Sequence, residues 1–331
     1  VAKLPVREIL AGVEIIRGGY QYLGAQLAGF LYYLKNQEKY NLVVDQFHGL
    51  PFFTPIYVRK PRLAVIQETA RNVWFLNPLP RPFNWLMGAL GYLLEPLIFL
   101  FYRTTLFITG SESAKKDVVK FGIPARNITV VHHGIITIRP KPFPRKERVY
   151  TVVYLGILAK DKGIEDALQT FSLLEKNGRF QFWVIGRSET EGYGRKLREL
   201  SKNLNLEKNV KFWGFVSQRK KFELLAKAHI LVNPSVHEGW GLVNIEANCM
   251  GTPVVAYRAH GLVDSVKDGE SGILCKENKP EALAWEVLSL SNNAEKYRDL
   301  RNGASEWSKK FSWEKSKSQS LRLIESIIQK K

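Results

Sequence analysis

Glu238 and Glu246 are the residues whose placement speaks most directly of chemistry. They stand with seven residues between them in the segment 237–253, HEGWGLVNIEANCMGTP, around a glycine-flanked turn that runs into a short apolar helix. The preceding run HILVN (229–233) reads as a strand ended by Pro234 and Ser235, and Gly239 and Gly241 supply permissive backbone where a ligand can approach closely. The helix is expected to begin near Leu242 or Val243. Its first free N–H groups and the positive end of its dipole point out of the loop, an arrangement suited to a diphosphate. An ionised carboxylate only accepts hydrogen bonds, through two oxygens, so a glutamate in the loop and another in the helix can each take a pair of hydroxyls. Hexose, diphosphate and ribose are the parts of a sugar nucleotide.

Strand, glycine loop and helix recur in every doubly wound α/β protein, and two spaced glutamates arise easily by chance. The longer string is far more specific. HEGWGLVNIEANCMGTPVVAYRAHGLVDSVKDGESGILC closely resembles the donor-site segment of retaining GT-B glycosyltransferases of the family 4, or group 1, type, and the resemblance runs from about residue 13 to about residue 328. It implies that Glu238 holds hexose hydroxyls close to the transferring carbon and is the first catalytic candidate. Backbone N–H groups around Gly241, Leu242 and Val243 would meet the phosphate, Glu246 the ribose hydroxyls, and Phe215 and Val216, after Gly214, the base; His237, Gly239 and Trp240 would line the same donor site. The second donor motif is GILAKDKG, Gly156 to Gly163, in which Lys162 and Gly163 match the family while Ile157 stands where an arginine is usual. Lys160 or Arg187 is the available substitute, and Lys is a point charge without the bidentate fork of Arg.

On the acceptor side, DQFHGLPFFTP (45–55) and VIQETARNVWF (65–75) are loop-bearing segments at strand C-terminal ends, where open α/β sheets place ligands. His48 is the histidine to test there, and Gln67 and Glu68 are further acceptor-side candidates. His132, His133, His229, His237 and His260 show no metal spacing, and no Asp-x-Asp motif occurs. The expectation is therefore a metal-independent donor site with no cofactor beyond the nucleotide sugar itself, in which basic side chains and helix N-termini neutralise the diphosphate.

These residues need a scaffold. Short apolar strands at 149–155, 180–185, 209–213, 229–233 and 253–257 alternate with helices near 163–177, 194–204, 217–228 and 242–250, the signature of a parallel sheet covered on both faces. The first half places strands near 42–46, 62–67, 105–109 and 128–131, with a helix at 112–121. RPKPFPRKER (139–148) reads as a linker, because neither a helix nor a central strand tolerates its prolines. The resemblance then implies an α/β protein of GT-B architecture, two Rossmann-like doubly wound domains facing a central cleft. Its parts are an acceptor-side domain (1–140), a linker (141–148), a donor-binding domain (149–312) and a last helix (313–331) crossing back to the first domain. The first domain is expected to lack its opening strand, loop and helix, with Gly18–Gly19 forming a later strand-to-helix turn.

At 331 residues and 45% hydrophobic content the chain can bury the cores of two domains. Cys249 and Cys275 lie in apolar stretches and read as buried thiols suited to a reducing compartment. The net charge of +18 calls for an anionic partner, and without zinc-finger spacing, an RRM-type motif or a basic stripe, nucleic acid is the weaker choice. FNWLMGALGYLLEPLIFLFY (83–102) points instead to an anionic membrane surface: Arg81 and Arg103 flank it, Trp85 and Tyr92 suit the headgroup region, and Glu95 and Pro96 interrupt a span. The competing reading is a helical hairpin packed inside the first domain and breaking at Pro96. Together these features predict a cytoplasmic, peripherally membrane-bound enzyme that moves a hexose from a nucleotide diphosphate sugar to a lipid-linked or membrane-proximal glycan acceptor. A non-catalytic sugar-nucleotide or lipid-binding subunit and an epimerase of the same architecture are the rivals.

Overall fold

The computed structural model describes residues 4–20, 23–47, 50–76 and 79–329. A hairpin of β1 (Arg7–Leu10) and β2 (Val13–Ile16) precedes α1 (Leu23–Asn36), and a four-stranded parallel sheet follows. Its strands are β3 (Val43–Gln46), β4 (Arg62–Ile66), β5 (Leu106–Thr109) and β6 (Ile128–Val130), added one beside the next. The connections contain the short α2 (Thr54–Tyr57), α3 (Phe83–Leu100) and α4 (Glu112–Lys120). Ala64, Ile66, Phe99, Tyr102, Phe107 and Val118 form the core of this unit. Gly18–Gly19 does precede a helix, but the strand before it belongs to the antiparallel hairpin and not to the parallel sheet.

The second unit alternates strand and helix: β7 (Tyr150–Leu155), α5 (Ile164–Glu175), β8 (Phe180–Ile185), α6 (Glu191–Asn203), β9 (Val210–Gly214), α7 (Gln218–Lys227), β10 (Ile230–Asn233), α8 (Leu242–Asn248) and β11 (Val254–Ala256). It continues with α9 (Leu262–Ser265), β12 (Gly272–Leu274), α10 (Pro280–Ser291) and α11 (Ala294–Ser308). The sheet order β12-β11-β10-β7-β8-β9 is all parallel and reverses direction between β7 and β10. Strands buried on both faces are largely apolar, and β10 and β11, with no exposed position, carry Asn233 as their one polar residue. Loops leaving β7 and β10 at their carboxyl ends diverge to opposite sides of the sheet and open a crevice for a ligand.

The proline-rich segment is irregular yet anchored to the second unit: Glu147 N–H donates to Lys227 O at 3.0 Å and Lys146 Nζ to Thr252 Oγ1 at 2.7 Å. The last helix, α12 (Trp313–Gln329), returns to the chain leaving β6, where Ser316 Oγ donates to the His132 carbonyl at 2.5 Å.

The apolar segment is one continuous helix, α3, carrying Pro96 inside it, so the break at Pro96 that the competing hairpin reading requires does not occur. Nor is it packed inside the unit, since only 17% of it is buried. Its inward stripe is Gly88, Glu95 and Phe99. At Gly91 a Cβ would lie 2.4 Å from the Trp74 indole, so glycine is what lets the turn Arg71–Leu76 sit against the helix. Glu95 secures that turn: its carboxylate accepts from the N–H groups of Ala70 (2.7 Å) and Arg71 (2.8 Å) and from Trp74 Nε1 (3.1 Å). A hydrogen bond to a charged group contributes about 1.5–3 kcal/mol net, and the part-buried donors freed by Glu95→Ala can recover much of this from water, so we expect the substitution to cost about 2–3 kcal/mol in all. Hydrogen exchange at the Ala70 and Arg71 amides should accelerate accordingly, well before exchange in the β3–β6 core does.

Candidate active site

The two donor-side loops meet at the crevice where the second sheet reverses. After β7, residues 156–163 turn through a single helical turn at Lys160–Lys162 into α5. Gly163 takes a φ of 69°, and a Cβ there would lie 2.1 Å from the Pro234 carbonyl, so only glycine lets this loop press against the loop after β10. That contact brings Lys162 Nζ to 3.2 Å from Glu238 Oε1, 3.6 Å from Asp161 Oδ2 and 3.3 Å from the His237 carbonyl. Burial works against the Lys162 charge, but the Glu238, Glu68 and Asp161 carboxylates outweigh it and hold the ammonium above its ordinary pKa. Glu68 is raised by burial and by Glu238, with Lys162 opposing. One protonated lysine thus sits among three carboxylates.

Beside Lys162 lies a cavity of about 510 Å³ lined by Ile157, Asp161, Arg187, Ser188 and Glu189. A second, of about 670 Å³, continues past Gly156, Ile157 and Arg187 to Phe215, Val216, Ser217 and Lys221. Arg187 and Ile157 line both. Phe215 is 81% exposed, an unusual state for a phenylalanine and one that leaves its ring face open to a planar ligand. Lys221 Nζ forms an ion pair with Glu246 Oε1, which fixes that carboxylate at the far end of the same crevice. Gly241, with φ of 77°, precedes α8 at Leu242, where the helix was expected to start.

Trp240 can serve a ligand only through its backbone. Its indole is 3% exposed, stacks on His132 at 4.4 Å and packs against Phe311, so its side chain offers no surface to a ligand. Its flanking glycines suggested a ligand-facing loop, but the aromatic residue between them turns into the core. His48 lies outside the described residues. Gln67 and Glu68 line a cavity of about 360 Å³ with Gln46, Thr69 and Glu95, across the cleft from the donor loops. Gln67 Oε1 is engaged by His133 Nε2 at 2.6 Å. Cys275 is buried and Cys249 half-buried, and burial pushes both thiols up to about 12.

The two units touch through pairs of residues that no motif in the sequence joins. His260 Nε2 lies 2.9 Å from Asp117 Oδ2, Ser113 N–H donates to Asp264 at 3.3 Å, and His237 Nε2 lies 3.1 Å from the Thr69 carbonyl. Burial opposes the charge on both members of the His260–Asp117 pair. His260 is nevertheless raised by Asp117 and the Glu238 carbonyl, and Asp117 is held below the usual carboxylate range by His260, Arg71 and Lys120. His237, stacked on His260 at 4.5 Å, is pushed down to about 4 by burial and by that neighbour, so it is neutral near pH 7.

A raised histidine contributes fully below its unfolded pKa and loses that contribution as pH rises through the folded one, whereas the depressed aspartate loses its contribution only in acid. We therefore expect the contact between units to weaken on alkalinisation, through the raised His260 pKa above 6.5, and Asp117→Asn to abolish that dependence. Small-angle scattering against pH reads it as an increase in radius of gyration.

Residues 136–307 match the family described as glycosyl transferases group 1. The chain belongs to that family. An uncharacterized glycosyltransferase of Methanocaldococcus jannaschii is 32% identical over 167 residues, 49% of this chain and 44% of that protein. A D-inositol 3-phosphate glycosyltransferase of Streptomyces bingchenggensis is 33% identical over 228 residues, 64% of this chain and 50% of that protein. The chain thus spans about half the length of these curated relatives. Among solved structures, sucrose-phosphate synthase from Thermosynechococcus elongatus superposes with a TM-score of 0.79 at 18% identity, covering 99% of this chain and 87% of that one. Anabaena HepE in complex with UDP-glucose gives 0.69 at 18%, covering 90% and 82%. The fold is accordingly GT-B, with two Rossmann-like units facing a cleft.

Proposed function

We propose that this group 1 chain transfers a hexose from a nucleotide diphosphate sugar with retention of anomeric configuration and without a metal. The observation that carries the reading is the approach of Lys162 to Glu238, 3.2 Å, at the carboxyl ends of β7 and β10. In this reading the nucleotide lies along the crevice, with Phe215 and Val216 against the base and Glu246 on the ribose. The diphosphate displaces the carboxylates from Lys162 and takes Arg187 as its second cation. Glu238 orients the hexose through its hydroxyls. As the bond from the anomeric carbon to the diphosphate oxygen breaks, the acceptor oxygen bonds to the same face and its proton passes to the departing diphosphate. Lys162 and Arg187 stabilise the negative charge that develops there. The HepE structure with UDP-glucose supports a nucleotide sugar as donor by likeness of fold.

The acceptor enters on the side of Gln67 and Glu68. We place it at a membrane surface, as a lipid-linked or membrane-proximal glycan, with the protein held peripherally on the cytoplasmic face by α3. The exposure of Trp85, Leu86, Leu90, Leu93 and Leu97 supports this, because monomeric proteins rarely show so continuous an apolar face to water. Incubation with membranes and a panel of labelled nucleotide sugars tests the activity. Transfer that Glu238→Ala abolishes is the expected result, and nucleotide-sugar binding without transfer by the full chain overturns it. Calorimetric titration with UDP, GDP and ADP then identifies the base.

A further inference from the structure

A cavity of about 260 Å³ lies where α3 meets the end of α4, between the exposed apolar face and the acceptor-side cavity. Tyr92 and Pro96 of α3 form one wall, Lys120 and Phe121 the other, and Arg71 and Glu95 the floor. Glu95 also lines the acceptor-side cavity, so the two are neighbours.

The charge at this cavity is unevenly matched. Arg71 Nη1 lies 3.7 Å and Lys120 Nζ 3.3 Å from the same oxygen, Asp117 Oδ1, while Asp117 Oδ2 faces the His260 imidazole at 2.9 Å. A single carboxylate is divided among three basic groups. The acid that lines the cavity, Glu95, is directed to the N–H groups of Ala70 and Arg71 and to the Trp74 indole. Arg71 lies over the Phe121 ring at 5.4 Å, a contact that braces its guanidinium, and the Lys120 side chain is 60% exposed.

We propose that this cavity binds the phosphate of an anionic phospholipid headgroup at a membrane surface, through Arg71 and Lys120, with the acyl chains beside the exposed face of α3. The inference rests on the reading of α3 as a membrane-surface helix. A lipid is chosen over a soluble anion because the wall runs without interruption into that apolar face: Tyr92 and its neighbour Leu93 are both exposed. A free phosphate leaves these side chains in water, whereas a headgroup phosphate brings hydrocarbon to cover them, with Tyr92 at the level where aromatic hydroxyls meet headgroups.

Vesicle flotation of the full chain tests this, using phosphatidylcholine alone and phosphatidylcholine mixed with phosphatidylglycerol. The double variant Arg71→Gln/Lys120→Gln is expected to lose roughly thirtyfold of the preference for the anionic vesicles, as for two cations lying at an anionic surface. A control of equal charge change, Arg195→Gln/Lys196→Gln on the exposed side of α6, should lose less than about twofold, being screened from the surface. Arg71→Lys keeps the charge and should keep most of the preference, which separates loss of the site from loss of the fold. An equal loss in the control pair overturns the site in favour of diffuse attraction by the net charge. Inorganic phosphate binding that the site variant lacks, with vesicle binding unchanged, overturns the lipid assignment. Failure of the native chain to bind either vesicle removes the surface reading of α3 and the headgroup site together, whereas binding to neutral vesicles with no anionic preference removes the site alone.

Discussion

Lys162→Ala is expected to lower kcat/KM for glycosyl transfer by about 10²–10³, the loss typical when one preorganised stabiliser of a developing charge is removed. The lysine does two jobs that its surroundings make inseparable. In the free protein it keeps Glu238, Glu68 and Asp161 from repelling one another; in the proposed reaction it would meet the leaving diphosphate. Its removal should therefore also shift the acidic limb of the pH–rate profile upward, because Glu68 loses the one neighbouring cation that most opposes its raised pKa. Lys162→Arg should recover only part of the rate, since a planar guanidinium does not fit where a compact ammonium is enclosed by three carboxylates. Steady-state kinetics with the best nucleotide sugar, together with calorimetry for the corresponding nucleoside diphosphate, checks both parts. A loss below about tenfold, with nucleotide affinity unchanged, would mean that the diphosphate lies elsewhere.

The resemblance put Lys162 and Glu238 in the same site, and the structure brings them to 3.2 Å; local pattern alone supplied the strand, glycine turn and helix that carry each of them. The strands themselves were legible. β7, β8, β10 and β11 are mostly apolar runs between turn residues, interrupted only by Thr151, Gln181 and Asn233, and burial on both faces favours that composition. Where burial does not constrain composition, pattern fails. The β1–β2 hairpin pairs Arg7 with Ile16 and Leu10 with Val13 while most of its side chains face solvent, so no period distinguished it. Trp240 shows the converse, since glycines on both sides imply a ligand-facing loop and only the tertiary contact with His132 and Phe311 reveals a core residue. The junction between units was illegible for a plainer reason. Asp117 and His260, or Thr69 and His237, acquire meaning only when distant segments meet, and no spacing in the chain announces it. Arg187 falls between the two cases: named as one of two substitutes for the arginine missing at Ile157, it stands out from Lys160 because it lines both donor cavities.

Replacing Leu93 and Leu97 by aspartate is expected to reduce partitioning onto membranes by at least about 10²-fold while leaving the fold intact. Both leucines lie on the outward stripe with Leu86 and Leu90, 68% and 52% exposed, opposite the inward stripe of Gly88, Glu95 and Phe99. That geometry makes the test clean, because nothing inside the unit rests on them. A fully exposed leucine that leaves water contributes about 1.5–3 kcal/mol, so these two, being partly covered already, contribute about 2–4 kcal/mol, and a carboxylate at the same depth adds a penalty of its own. Glu95 does not weaken the argument, since its carboxylate is turned inward to three N–H donors. Vesicle flotation measures the partition, and transfer to a water-soluble acceptor confirms that the donor site is untouched. If the variant abolishes a concentration-dependent dimer in sedimentation velocity and leaves vesicle binding unchanged, the face covers a second copy of the chain and the membrane reading falls. A rise in solubility alone does not separate the two, because either partner leaves the same leucines in water when it is absent.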